Sequence, residues 1–178
     1  MAADRPTYRT ETRRERQIKL TPKSKTIPLS ICMVSFGIDA NIALMIRAAA
    51  CYGAESMMVI GSLPKRDFLN SRSGTTLDLM RIHQFSTPHD FLRYCRDESY
   101  HVVSAEICDG AFDLNYYKFG FDRKTVIVMG NEYTGVPAEV IHNSDCVYIN
   151  HCGISPCHNV AQAGAIMANE YYRQYVTR

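Results

Sequence analysis

Apolar positions in this 178-residue chain fall into two patterns, short β-branched runs and longer stretches with helical spacing. Leu29 to Phe36 is almost continuously apolar between Pro28 and Gly37, which predicts a buried first strand. From Asn41 onward, Ile42, Leu44, Met45, Ile46, Ala48, Ala49, Ala50 and Tyr52 are apolar nearly all round the axis. Arg47 is the only charge there, and Gly53 closes the segment. The pattern predicts a largely buried helix whose one guanidinium needs a reason. Ser56 to Ile60 predicts a second strand, Ser71 to Thr76 a polar loop, Pro88 to Arg96 a helix starting near Thr87, and His101 to Ile107 another strand. Two late strands, Thr125 to Met129 and Cys146 to Ile149, each precede a helical pattern, a short one at Pro137 to His142 and a long one from Asn159 to Arg173.

This alternation predicts an α/β fold with an open, mostly parallel sheet and helices on both faces. Ligands in such sheets bind beyond the carboxyl ends of the strands. Each late strand delivers a polar loop there, Gly130 to Gly135 in one case and Gly153 to Asn159 in the other. The glycines let backbone approach a bound molecule, while Glu132 and Asn159 offer a carboxylate and a carboxamide to orient it. The expectation is a small-molecule site.

Composition narrows the setting. With 46% apolar residues the chain has ample core for one domain, and no run approaches the roughly 18 apolar residues of a membrane span. The N-terminus is polar and Arg-rich, without an apolar signal region. Seven cysteines, odd in number and irregularly spaced, read as reduced thiols of a cytoplasmic protein. The net charge of +2 is uneven: residues 1–28 carry eight basic and three acidic side chains, a balance of +5, and the rest carry twelve against fifteen, −3. Residues 1–28 therefore read as a basic, flexible arm and 29–178 as the folded domain. Arg5, Arg9, Arg13, Arg14, Arg16, Lys19, Lys23 and Lys25 either neutralise RNA phosphates or simply solvate a terminus. The aromatic end of the last helix, Tyr171 to Tyr175, reads as core or as a subunit interface.

His151, Cys152, Cys157 and His158 crowd into eight residues, but adjacent His-Cys pairs four residues apart do not match the usual zinc spacings. Sequence neighbours also seldom face each other as a thiol and its base must. Neither a metal nor a cysteine nucleophile is expected.

Three blocks, in order, resemble the SpoU-TrmH family of SPOUT methyltransferases across residues 31–174. Asn41 precedes Arg47 by six positions in an apolar helix. Gly130, Glu132 and Gly135 form a Gly-x-Glu-x-x-Gly loop after a strand. Ile149 ends a strand, Gly153 follows four residues on, Asn159-Val160 opens a helix, and Arg173-Gln174 lies near its end. The resemblance implies a C-terminal trefoil knot, a homodimer, and S-adenosylmethionine as cofactor for methylating a ribose 2′-hydroxyl of RNA. Transfer RNA is favoured over ribosomal RNA because no separate RNA-binding domain is present. It also implies that Ser104, Ala105, Gly130, Ile149, His151, Cys157 and His158 bind the cofactor, and that Asn41, Arg47, Glu132 and Asn159 form the reacting centre.

Alternatives stay open at single positions. Arg47 reads as the base the family is thought to use, as a phosphate clamp, or as a structural partner of Glu132; Asn41 and Asn159 read equally as helix caps. Cys157 stands where the family has Ser, His158 where it has Leu, Asn150-His151 where it has Pro-Met, and Ala43 where it has Gly. These departures leave a second expectation, a knotted homodimer that binds RNA or a ribonucleoprotein without methyl transfer.

Overall fold

The computed structural model describes residues 12–20, 25–35, 37–73 and 76–178. Strands β1 (Ile27–Val34), β2 (Ala54–Ile60), β3 (Arg81–Phe85), β4 (His101–Ala105), β5 (Phe112–Asp113), β6 (Thr125–Met129) and β7 (Asp145–Tyr148) form one sheet. Its order is β3-β2-β1-β6-β4-β7-β5. Every neighbouring pair is parallel. Helices α1 (Arg13–Leu20), α2 (Asp39–Cys51), α3 (Arg66–Ser73), α4 (Pro88–Asp97), α5 (Ala138–Ile141) and α6 (Val160–Thr177) complete the fold.

Strand periodicity explains why both faces are covered. Successive side chains point to opposite sides, and in the central strands both sets are apolar. Ile31, Met33, Met57, Val59, Ile127 and Met129 pack with α2, α3 and α6. Cys32, Val34, Met58, Ile60, Val126 and Val128 pack with α4 and α5. Each such side chain, fully buried, is worth about 1.5–3 kcal/mol of transfer free energy.

Local chemistry sets the helix ends. Thr87 caps α4, its Oγ1 accepting from the Asp90 backbone N–H at 3.1 Å, with Pro88 in the first turn. Gly53, just past α2, has φ +73°, and a Cβ there would lie 2.5 Å from the Lys25 carbonyl oxygen. Gly164 brings α6 hard against α2, since its Cβ would lie 2.2 Å from Cε of Met45.

Several elements depart from the sequence expectation. Strand β1 starts at Ile27, inside the stretch read as an arm. Helix α1 also lies in that stretch, opened by a capping box in which the Thr12 N–H donates to Glu15 Oε2 at 2.8 Å and Thr12 Oγ1 accepts from the Glu15 N–H at 3.3 Å. Arg5, Arg9, Lys23 and Phe36 lie outside the described residues. Helix α3 occupies part of the expected loop, and β3 and β5 were not anticipated. Both lie at sheet edges, where polar residues such as Arg81, His83 and Gln84 keep a strand from reading as buried.

The end of α6 is core more than free surface. Tyr171 is fully buried, donates its hydroxyl to the Pro28 carbonyl at 3.0 Å, and meets Phe119 and Phe121 edge-on. Gln174 accepts from the Phe119 N–H at 3.1 Å and donates to the Tyr117 carbonyl at 2.9 Å. Tyr172 and Val176 occupy the exposed side. Among the described residues no helix is long and apolar enough to cross a membrane.

Candidate active site

The carboxyl ends of β4, β6 and β7 open into a cavity of about 540 Å³. Ala105, Met129, Val147 and Ile149 form its apolar floor, Glu132 and Asn159 its polar side, and His151, Cys157 and His158 a wall from the loop before α6. Gly130 lets the loop after β6 fold back on itself, because a Cβ there would lie 2.4–2.9 Å from the Gly135 and Val136 backbone. Asn131 and Gly135 close that loop with two reciprocal backbone hydrogen bonds, 3.0 and 2.9 Å. Gly135 takes φ +68°.

Three polar side chains from distant segments are joined in series. Asn41 Nδ2 donates to Glu132 Oε1 at 2.5 Å, and Asn159 Nδ2 donates to Asn41 Oδ1 at 3.1 Å. Asn159 also caps α6, its Oδ1 accepting from the Ala161 and Gln162 N–H groups. Asn41 caps nothing; it lies within α2 at 4% exposure, behind the cavity wall. Partial burial pushes the Glu132 carboxyl up, but donation from Asn41 and from the Gly37 and Ile38 backbone N–H groups wins and holds it below the ordinary glutamate value.

Two predicted positions lie elsewhere. Ser104 is buried with its hydroxyl 2.7 Å from Ser144 Oγ and does not line the cavity; strand alternation sends Ala105 there in its place. Arg47 is exposed and makes neither a hydrogen bond nor an ion pair among the described residues. Six residues beyond Asn41, it is rotated by about 120° around the helix and displaced by about 9 Å along it. Pairing with Glu132, the structural alternative, does not occur, since that carboxylate is held by Asn41 and Gly37. Ala43 is fully buried, so its difference from the family's Gly belongs to core packing.

Glu106 escaped sequence reasoning. It follows β4 directly, its Oε2 accepts from the Val136 N–H at 2.8 Å and its Oε1 from the Ile107 N–H at 3.0 Å. A carboxylate at a strand's carboxyl end was the available signal. Ile38 and Ile107, which also line the cavity, carried none. Among the described residues no group of three or more His, Cys, Asp or Glu side chains converges as a metal site; the His151 and His158 rings meet edge-on at 5.2 Å.

Known proteins share the fold and parts of the sequence. The tRNA (guanosine(18)-2′-O)-methyltransferase TARBP1 of Mus musculus is 32% identical over 140 residues, 75% of this chain and 9% of that protein. The tRNA (guanosine(18)-2′-O)-methyltransferase of Escherichia coli strain K12 is 22% identical over 147 residues, 82% of this chain and 63% of that protein. The chain thus spans less than two thirds of either relative. The AdoMet-bound rRNA methyltransferase from Sinorhizobium meliloti superposes with a TM-score of 0.75 at 22% identity, covering 83% of this chain and 56% of that one. The profile of the SpoU rRNA Methylase family matches residues 28–169, and the chain belongs to that family.

Proposed function

We propose that this protein transfers a methyl group from S-adenosylmethionine to a ribose 2′-hydroxyl of RNA, with transfer RNA as substrate. The observation that carries the proposal is the cavity at the strand ends with the Glu132–Asn41–Asn159 series on its polar side. Family membership and two relatives named for transfer RNA methylation support it.

The residues present fit that cofactor. Gly130 lets the loop after β6 fold back and open the cavity, the apolar floor accepts an adenosyl and thioether body, and ionised Glu132 suits a cationic ligand. Gly130, Ala105, Ile149, His151, Cys157 and His158 would hold it. When bound, the cofactor supplies an electrophilic methyl group, so the protein must mainly align the acceptor oxygen. Glu132, with both oxygens already accepting hydrogen bonds, orients and does not take the proton. Asn159 faces the cavity, and Asn41 fixes both neighbours from behind. Arg47, on the exposed side of α2 and outside the cavity lining, grips an RNA phosphate.

The remaining parts follow from the same reading. The C-terminal segments thread as a trefoil knot; β6 inserted between β1 and β4, β7 inserted between β4 and β5, and Gln174 bound to the 117–119 backbone, support this. A homodimer forms, supported by exposed Leu44, Ile166 and Tyr172 on α2 and α6. The arm at 1–28 contacts RNA, and seven unpaired thiols suit a reducing cytoplasm.

The test is calorimetry with S-adenosylmethionine, followed by mass mapping of ribose methylation in total small RNA. No binding at millimolar cofactor removes the enzyme. The second reading, a dimer that binds RNA without methyl transfer, rests on Cys157 lining the cavity where the family has serine. A thiol is a weaker hydrogen-bond donor than a hydroxyl, and RNA binding without cofactor binding would establish it.

A further inference from the structure

Beside Glu132 stands a side chain that the proposed chemistry does not use. Tyr133 is 80% exposed and has no ring partner among the described residues. Its backbone is nonetheless fixed: the Tyr133 N–H donates to Asn131 Oδ1 at 2.8 Å, and Asn131 Nδ2 donates to the Ser35 carbonyl. The ring lies over Gly37, where a Cβ would come within 2.8 Å of Cε2 and 3.3 Å of Cδ2. Gly37 therefore seats the ring while its N–H holds Glu132 Oε2. One residue further, Ile38 is 45% exposed and lines the cavity.

An aromatic ring kept in water on a pinned loop has little conformational entropy left to lose on binding. Its position matters as well. A 2′-hydroxyl entering the cavity belongs to a sugar whose base hangs from the adjacent carbon, so the base comes to rest at the cavity rim. Unpaired bases bind proteins by stacking on aromatic rings, and stacking needs no particular base identity.

We propose that Tyr133, with Ile38 beside it, is a stacking shelf for an unpaired nucleobase of the RNA substrate, placed so that the attached ribose faces the cavity. The shelf rests on the methyl-transfer reading for the identity of its ligand. It makes the substrate single-stranded at the modified position, a loop or an end and not a duplex interior. Tyr133 is a positioning residue: its ring touches the base and not the reacting atoms.

The experiment compares the wild-type 178-residue protein with Tyr133→Ala and Tyr133→Phe. In steady-state methylation of bulk transfer RNA, Tyr133→Ala is expected to raise KM for RNA by about 5- to 150-fold, the range that loss of one stacked base gives. Tyr133→Phe keeps KM within about two-fold, because stacking needs the ring and not the hydroxyl. The dissociation constant for S-adenosylmethionine stays at the wild-type value in both. Stacking is read without turnover by quenching of 2-aminopurine in a single-stranded oligoribonucleotide, present with wild type and Tyr133→Phe and lost with Tyr133→Ala.

An unchanged KM in Tyr133→Ala, or equal damage from both variants, overturns the shelf. So does a change in cofactor affinity or in sedimentation of Tyr133→Ala, which would make the ring a pocket or subunit contact. If wild type quenches 2-aminopurine but transfers no methyl group, the shelf stands and the reading of the reaction falls.

Discussion

Asn159 donates its side-chain N–H to Asn41 Oδ1 at 3.1 Å, tying the first residue before α6 to the inside of α2 across 118 positions of sequence. The Asn159 side-chain oxygen caps α6. Helix capping and site assembly therefore meet in one side chain.

Asn41→Ala leaves Glu132 Oε1 and Asn159 Nδ2 without their partner in a largely buried place. The expected cost is about 1–3 kcal/mol of folding stability, read as a lower urea midpoint with an unchanged slope. Asn41→Asp sets a second carboxylate against Glu132 and is expected to cost more at neutral pH than at pH 4, where protonation relieves the repulsion. Equal costs at both pH values would mean that the two side chains do not meet.

Acid sensitivity has a definite sign. The Glu132 carboxyl lies below its ordinary value in the folded protein, so it contributes stability above that ordinary value, which is lost as pH falls through the lowered one. Asp145 behaves alike: burial raises it, and donation from Tyr117 and His101 outweighs this. Wild type should exceed Glu132→Gln in urea midpoint at pH 7, and the gap should close on the acid side of pH 4. A gap that persists there would place the loss outside the carboxylate.

Gly130→Ala puts a methyl group within 2.4–2.9 Å of the Gly135–Val136 backbone. The loop must open, carrying Glu132 with it. Calorimetry should show S-adenosylmethionine binding weakened by at least about ten-fold, the equivalent of about 1.4 kcal/mol.

Arg47→Ala removes an exposed cation that has no partner among the described residues. Stability should stay within about 0.5 kcal/mol of wild type and cofactor affinity should be unchanged, while methylation is lost. Loss of cofactor affinity as well would make Arg47 structural.

Removing residues 1–25 takes away eight basic side chains and leaves β1 whole. RNA affinity should fall, and the slope of its logarithm against that of salt concentration should flatten by about 0.9 for each duplex phosphate that the arm no longer neutralises. An unchanged slope would place the RNA elsewhere.

What the sequence disclosed follows from how strongly each segment repeats its pattern. β6 matched its expected bounds at both ends because all five of its residues are buried, and α4 began where expected because Thr87 and Pro88 mark its start chemically, though it runs one residue further, to Asp97. β3 and β5 were hidden because an edge strand keeps polar residues and β5 has only two residues. The Gly130 loop and Asn159 were legible through spacing. Glu106 was not, since its role exists only when the loop after β6 folds back onto β4. Arg47 was legible as an anomaly in an apolar helix, yet that its side of α2 is the exposed one emerges only when the helix is seated on the sheet.

Gln174 reaches back more than fifty positions to satisfy the backbone at 117 and 119. During synthesis the 117–119 segment must wait, its amide and carbonyl meeting only water, until residue 174 has left the ribosome. The pocket-bearing half of the sheet therefore matures late, and a nascent chain stalled before that point would present an open seam to chaperones and proteases.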